Sequence, residues 1–339
     1  MDKASLLENY KKAPRRSSLE LLRIICMLFI VAHHFGIHGQ YGDMQMSQFN
    51  SFIIMLLSAG GKLGVNIYVL ISGYFLVGSS FKLRRLINTI ALTIFYSVSI
   101  YLVMLFALPE YSFSFGELFS RIFVIYKSNY WFVTCYVAMV LLSPFINKLI
   151  NALSKREHLA LVLLLVLMSS HLPRLDSYFD FSQIGWFITV YIIAAYLRLY
   201  PEKIFSSKLI TGVASLVLCI TIGLLSASTD LTNILCLATS VALFTFFNNL
   251  EIKSRAINLI SKTTFGIYLI HDNKLVRQVL WSNLLKCPYH AQFDSFWLFS
   301  ACAVLLVFIV CSLIELGRMG LTILISKIIK KGFEKKDME

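Results

Sequence analysis

Apolar runs about as long as a bilayer is thick alternate with short polar or basic clusters from residue 18 to residue 317. A hydrocarbon core of ~30 Å takes about 20 apolar residues as helix, so each run predicts one crossing. The runs fall at about 18–38, 63–78, 87–108, 130–147, 159–172, 184–199, 208–226, 231–249, 264–284 and 295–317. The apolar stretch 49–78 is too long for one straight crossing. Gly60, Gly61 and Gly64 are expected to break it into an interfacial piece and a span. Between the third and fourth runs, Glu117 and Arg121 stand at i,i+4 and predict a surface helix. The pattern therefore predicts an all-α fold, a polytopic transmembrane helical bundle of about ten spans.

Charge sets the expected orientation. Of the 31 lysines and arginines, all but Lys62, Arg121, Lys127, Arg174, Lys274, Arg277 and Lys286 fall on one alternating set of segments. Basic residues mark the cytoplasmic side, so the N-terminus and C-terminus are both expected there, as basic tails over 1–17 and 318–339 flanking a membrane domain over 18–317. With 58% hydrophobic residues and 14% charged, a soluble globular chain is excluded. The net charge of +13 comes in clusters between spans, so topology explains it and no nucleic acid is implied. No cleavable signal peptide is expected, since the segment before the first run is polar and basic. Six of the seven cysteines lie in apolar runs and Cys287 in a loop, a pattern of buried structural thiols without a disulfide framework.

The first run, SLELLRIICMLFIVAHHFGIH, carries Glu20, Arg23, His33 and His34 inside an otherwise apolar segment. Ionisable residues within a span are costly and point to function. At about 100° per residue, Arg23 and His34 fall within roughly 20° of one face, and ~1.5 Å per residue separates them by roughly 16 Å. His33 is turned roughly 80° the other way. The helix is thus expected to align a fixed cation near one surface with a titratable nitrogen near the midplane. An interfacial anchor and a histidine bonded to a neighbouring helix are the plain alternative.

Five segments together resemble the acyltransferase-3 family of integral-membrane O-acyltransferases. They are Arg23 and His34 in LRIICMLFIVAHH, GVNIYVLISGYFL (64–76), the basic KLRR (82–85), YWFVTCYVAMVLLSPF (130–145) and KTTFGIYLIH (262–271). One departure stands out. Many members carry a glutamate five residues after the tryptophan, where this chain has Tyr136. The resemblance implies transfer of an acyl group, usually acetyl, from cytosolic acyl-CoA as co-substrate to a hydroxyl of a cell-surface polysaccharide or lipid-linked glycan. It also implies a multi-pass protein of a bacterial plasma membrane.

The residues fit that chemistry on their own terms. A phosphate-rich donor needs cations, which Arg23, Lys82, Arg84 and Arg85 supply, although KLRR also serves topology alone. Ester formation needs a base for the acceptor hydroxyl, and His34 is the candidate, with His271 at similar depth as a partner, substrate ligand or helix lock. Asp272, Lys274 and Arg277 follow His271 and are candidates to line a polar cavity. Ser72 is either an acyl carrier or a close-packing contact before Gly73. Trp131 is the candidate for stacking on sugar, while an aromatic belt explains the four tryptophans generally. Glu117, Asp176 and Asp180 are expected on outer loops. No metal is implied, because adjacent histidines on a helix diverge and no carboxylate lies at ligand spacing beside them. The rival class is a transporter or flippase of glycan precursors with a histidine proton relay.

Overall fold

The computed structural model describes residues 16–42, 46–109, 111–127, 129–170, 183–225 and 231–336. Regular structure among these residues is helical throughout, as lipid requires of a chain whose backbone must satisfy its own hydrogen bonds. The principal helices are α1 (Ser17–His38), α2 (Gln48–Leu76), α3 (Leu83–Ala107), α4 (Phe115–Ile122), α5 (Trp131–Ala152) and α6 (Lys155–Ser170). They continue with α7 (Gln183–Leu199), α8 (Lys208–Leu225), α9 (Leu231–Asn248), α10 (Thr264–His271) and α11 (Phe296–Lys336). Among the described residues, five helices are long and apolar enough to cross a membrane: α1, α2, α3, α5 and α11 over Phe296–Ile328. Shorter apolar helices cover α7 and most of α8 and α9. The molecule is a multi-pass membrane protein. Arg174, Asp176 and Asp180 lie outside the described residues.

The expected break in the second apolar stretch does not occur. α2 runs 29 residues without interruption, and its glycines serve as contact notches instead. A Cβ on Gly64 would lie 2.8 Å from Ile30 Cγ1 and 2.9 Å from the Cys26 carbonyl; one on Gly61 would meet the His33 ring at 2.3 Å. α1 and α2 therefore press backbone to side chain as an antiparallel pair. Membrane helices lack a hydrophobic drive toward one another and associate through such small-residue contacts. The close approach also brings the Tyr68 hydroxyl within 2.9 Å of the Arg23 carbonyl, to which it donates.

α5 keeps its course through Pro144. Proline cannot donate to the carbonyl four residues back, and the Ser143 hydroxyl donates to that carbonyl, Val140, at 2.7 Å instead. α4 forms on the surface as expected, with Arg121 Nη2 2.8 Å from Glu117 Oε2.

The ninth predicted span, 264–284, is not one helix. α10 stops at His271, Asp272 and Asn273 leave helical geometry, and the chain resumes as Lys274–Arg277 followed by a π-helical stretch over Gln278–Leu284. Side chains occupy the broken ladder. Asn273 accepts from the Leu275 amide at 3.0 Å and donates to the Tyr130 hydroxyl at 2.7 Å. Tyr130 donates in turn to the Leu269 carbonyl at 2.8 Å, and Arg277 Nε to the Asp272 carbonyl at 3.0 Å. An asparagine that caps the next turn competes with helix continuation.

The last helix continues well past residue 317 to Lys336. Buried within it, Glu315 takes a two-pronged contact from Arg318, 2.7 Å on each oxygen, and accepts from the Tyr96 hydroxyl at 2.5 Å. Two expectations need correcting. Trp281 belongs to no aromatic belt: it is wholly buried, edge-on to Phe35 with centroids 5.8 Å apart. Cys302 is exposed, although Cys287 in its loop is buried, and all seven thiols are free.

Candidate active site

The break in α10 opens beside His34. His271, the last residue of α10, places Nε2 2.9 Å from His34 Nδ1. Its own Nδ1 lies 2.6 Å from the Ile267 carbonyl. A carbonyl only accepts, so in a neutral ring His271 carries its proton on Nδ1 and offers Nε2 as an acceptor. The proton between the rings then sits on His34 Nδ1, which leaves His34 Nε2 with a free lone pair. That nitrogen lies 3.3 Å from Asp272 Oδ1, and the same oxygen lies 2.8 Å from Arg277 Nη2. The Arg277–Asp272 contact is an ion pair, whereas the neutral His34 makes none with that carboxylate until it gains a proton. His271 and Asp272 are inaccessible, while His34 keeps 8% of its surface.

That remaining surface faces a cavity of about 550 Å3. Trp131, Trp186, Lys62, His38 and Arg277 line it toward the His38 end of α1. Met27, Tyr68 and Phe265 line it on the side nearer Arg23. Lys62 sits 4.6 Å over the Trp186 ring and donates to Asn233 Oδ1 at 2.5 Å, while Trp186 Nε1 donates to Asn66 Oδ1 at 2.7 Å. His33 also lines the cavity, but its Nδ1 is engaged by the Ser58 carbonyl at 2.5 Å. His34 is four residues before the last residue of the 22-residue α1, nearer that end than the middle.

The positions singled out in the sequence are thus only partly gathered. His34, His271, Asp272 and Arg277 form one cluster, and Trp131 shares its cavity. Lys274 is exposed and points elsewhere, with Arg277 in the place expected of it. Arg23 is not part of the cavity wall; its Nη1 lies 3.0 and 3.1 Å from the two oxygens of Glu20. Lys82, Arg84 and Arg85 are exposed at the start of α3, on the same end of the bundle as Arg23. Ser72, Arg23 and Arg85 all lie within interaction range of Tyr136, the residue at the family's glutamate position.

A family model described as an acyltransferase domain matches residues 16–316. The chain belongs to the acyltransferase-3 family. No curated protein and no solved structure matches it. The family match begins one residue before α1 and ends one after Glu315, so both halves of the histidine cluster fall inside the acyltransferase-3 domain. Three features of that cluster were not singled out from the sequence. His38 lies one helical turn beyond His34 with its ring centroid 5.3 Å away. Tyr130 and Asn273 hold the break that presents Asp272. The first was visible as His-x3-His; the others join residues more than a hundred positions apart.

Proposed function

We propose that this acyltransferase moves an acyl group, acetyl first among candidates, from cytosolic acyl-CoA to a hydroxyl of an extracytoplasmic or lipid-linked glycan, with His34 as general base. The observation that carries this is His34 itself, a residue of the cavity wall whose ring is held by His271 so that Nε2 keeps the lone pair. The acceptor hydroxyl enters from the His38 end and gives its proton to Nε2 as its oxygen attacks the thioester carbonyl. A C–O bond forms, the C–S bond breaks, and the proton passes to the departing thiolate. Asp272, 3.3 Å away, stabilises the imidazolium formed in between. Arg277 adds a positive charge beside the site where the oxyanion develops. His271 is a positioning residue, since it lies behind His34 and off the cavity.

In this reading the Arg23 end is cytoplasmic, with both tails there, and the broken α10 region counts among about ten crossings. Arg23, Arg84, Arg85 and Lys82 then hold the donor's phosphates, and Trp131 offers the glycan a stacking face. The protein resides in a plasma membrane, as expected of a bacterial chain modifying surface polysaccharide. The discontinuous helix also suits a transporter. One assay separates the two readings. Purified protein with labelled acetyl-CoA and envelope glycan should yield base-labile acetyl esters, and His34→Ala should lower that rate by about 10²–10⁴-fold. Intact acyl-CoA binding must accompany that loss, whereas an undiminished rate would remove His34 from the mechanism.

A further inference from the structure

The cluster around His34 is incomplete as it stands. Two acceptors face each other across 3.3 Å, the His34 Nε2 lone pair and Asp272 Oδ1, in a place where the carboxylate is 1% exposed and Arg277 Nη2 reaches that same oxygen at 2.8 Å. Lone pairs that face each other in a buried place repel, and a cation between them turns that repulsion into attraction. A third donor atom stands close by. His38 is one turn from His34 on the same helix face, and a ring nitrogen from each histidine and an Asp272 oxygen lie within 4.8 Å of one another.

We propose that His34, His38 and Asp272 bind a divalent transition-metal ion of the zinc type, and that the bound ion blocks acyl transfer. Two imidazoles at i,i+4 with one carboxylate make a three-ligand set that leaves a fourth position open. Imidazole with carboxylate suits Zn²⁺ or Co²⁺ over Mg²⁺, which prefers all-oxygen sites. A tetrahedral site with ~2.0–2.1 Å bonds needs its donor atoms roughly 3.4 Å apart. The His34–Asp272 edge is already at 3.3 Å, so the half-buried His38 ring is the part that has to swing in. The supporting shell is built as well. His34 Nδ1 is held by His271 Nε2, that ring by the Ile267 carbonyl, and Asp272 by Arg277. Such outer partners orient ligand rings and fix their tautomers. Arg277 also limits affinity, because its charge sits 2.8 Å from one of the donor oxygens. Entry is through the cavity, whose wall includes both histidines.

The inhibitory half of this proposal rests on the acyltransferase reading with His34 as base; the binding half does not. Chelator-treated protein in detergent is titrated with Co²⁺, following its visible absorption, and with Zn²⁺ by equilibrium dialysis. One saturable equivalent with a four-coordinate Co²⁺ spectrum is expected. Affinity should fall tenfold or more in His38→Ala and in Asp272→Asn, and stay unchanged in His33→Ala, whose ring is engaged by Ser58. In the acetylation assay, the Zn²⁺ concentration for half-inhibition should rise at least tenfold in His38→Ala, measured against that variant's own basal rate. Absence of saturable binding, equal affinity for Mg²⁺, or binding indifferent to both ligand substitutions would overturn the site. Binding that responds to the ligands in a protein with no acyl transfer would overturn the enzymatic reading and leave the site standing.

Discussion

A neutral imidazole has one donor and one acceptor, so a chain of two rings ending on a carbonyl has only one consistent arrangement of protons. That is how Ile267, which is not part of the cavity wall, selects the free nitrogen of His34. The consequence can be tested at His271. Glutamine there can accept from His34 Nδ1 through its amide oxygen, while leucine cannot. His271→Leu should lose rate by about 10–100-fold, the scale on which supporting partners act, and His271→Gln should recover much of it at unchanged KM. Equal losses in kcat for both variants would reduce His271 to packing. Arg23, His34 and His271 are each conspicuous in the sequence as polar residues within apolar runs, and composition alone draws attention to them. Their linkage is not legible, because the hydrogen bond joining His34 to His271 spans 237 residues. Asp272 and Arg277 were visible as neighbours of His271, yet nothing local shows that Asp272 meets the His34 imidazole and that Arg277 pairs with that same carboxylate oxygen.

At the scale of elements, two departures from expectation run in opposite directions. Three glycines in α2 look like a break because glycine costs a helix about 1 kcal/mol in water, yet here they are where the neighbouring helix comes closest. The His-Asp-Asn sequence does break its span, although apolar runs on either side made one crossing the natural expectation. In both cases the deciding partner lies elsewhere: α1 for the glycines, Tyr130 for Asn273. Alanine substitution distinguishes a notch from a bystander. Gly64→Ala would press a methyl against the Cys26 carbonyl and should destabilise by about 1–3 kcal/mol. Gly317→Ala, where an added Cβ meets nothing within 4 Å, should be neutral or gain up to about 1 kcal/mol from helix propensity. Thermal unfolding of both variants in the same detergent checks the contrast, and an equal effect would mean that α1 and α2 do not pack through Gly64.

For the whole molecule, helical class and membrane character follow directly from the length and spacing of apolar runs; four of the five long helices fall on predicted spans, and α2 takes in both the interfacial piece and the span expected of 49–78. Span count is harder to read, since the described parts of α6 and α7 and the pieces of the α10 region are each short for a crossing. Orientation rests on charge. Single cysteines placed in 1–17 and in 319–339 of a background without reactive thiols should both be shielded from an impermeant reagent in intact cells and labelled after lysis. Labelling of one tail alone in intact cells would remove the expected topology. The wall formed by Met27, Tyr68 and Phe265 has a consequence of its own. Tyr68 both closes the cavity floor and bonds the backbone of Arg23, so about one helical turn of packed side chains separates the cavity from that end. Many membranes store energy as an ion gradient, and a hole wide enough for two substrates to meet would short-circuit it. A floor of packed side chains, tied to the backbone of α1 through Tyr68, guards against that leak.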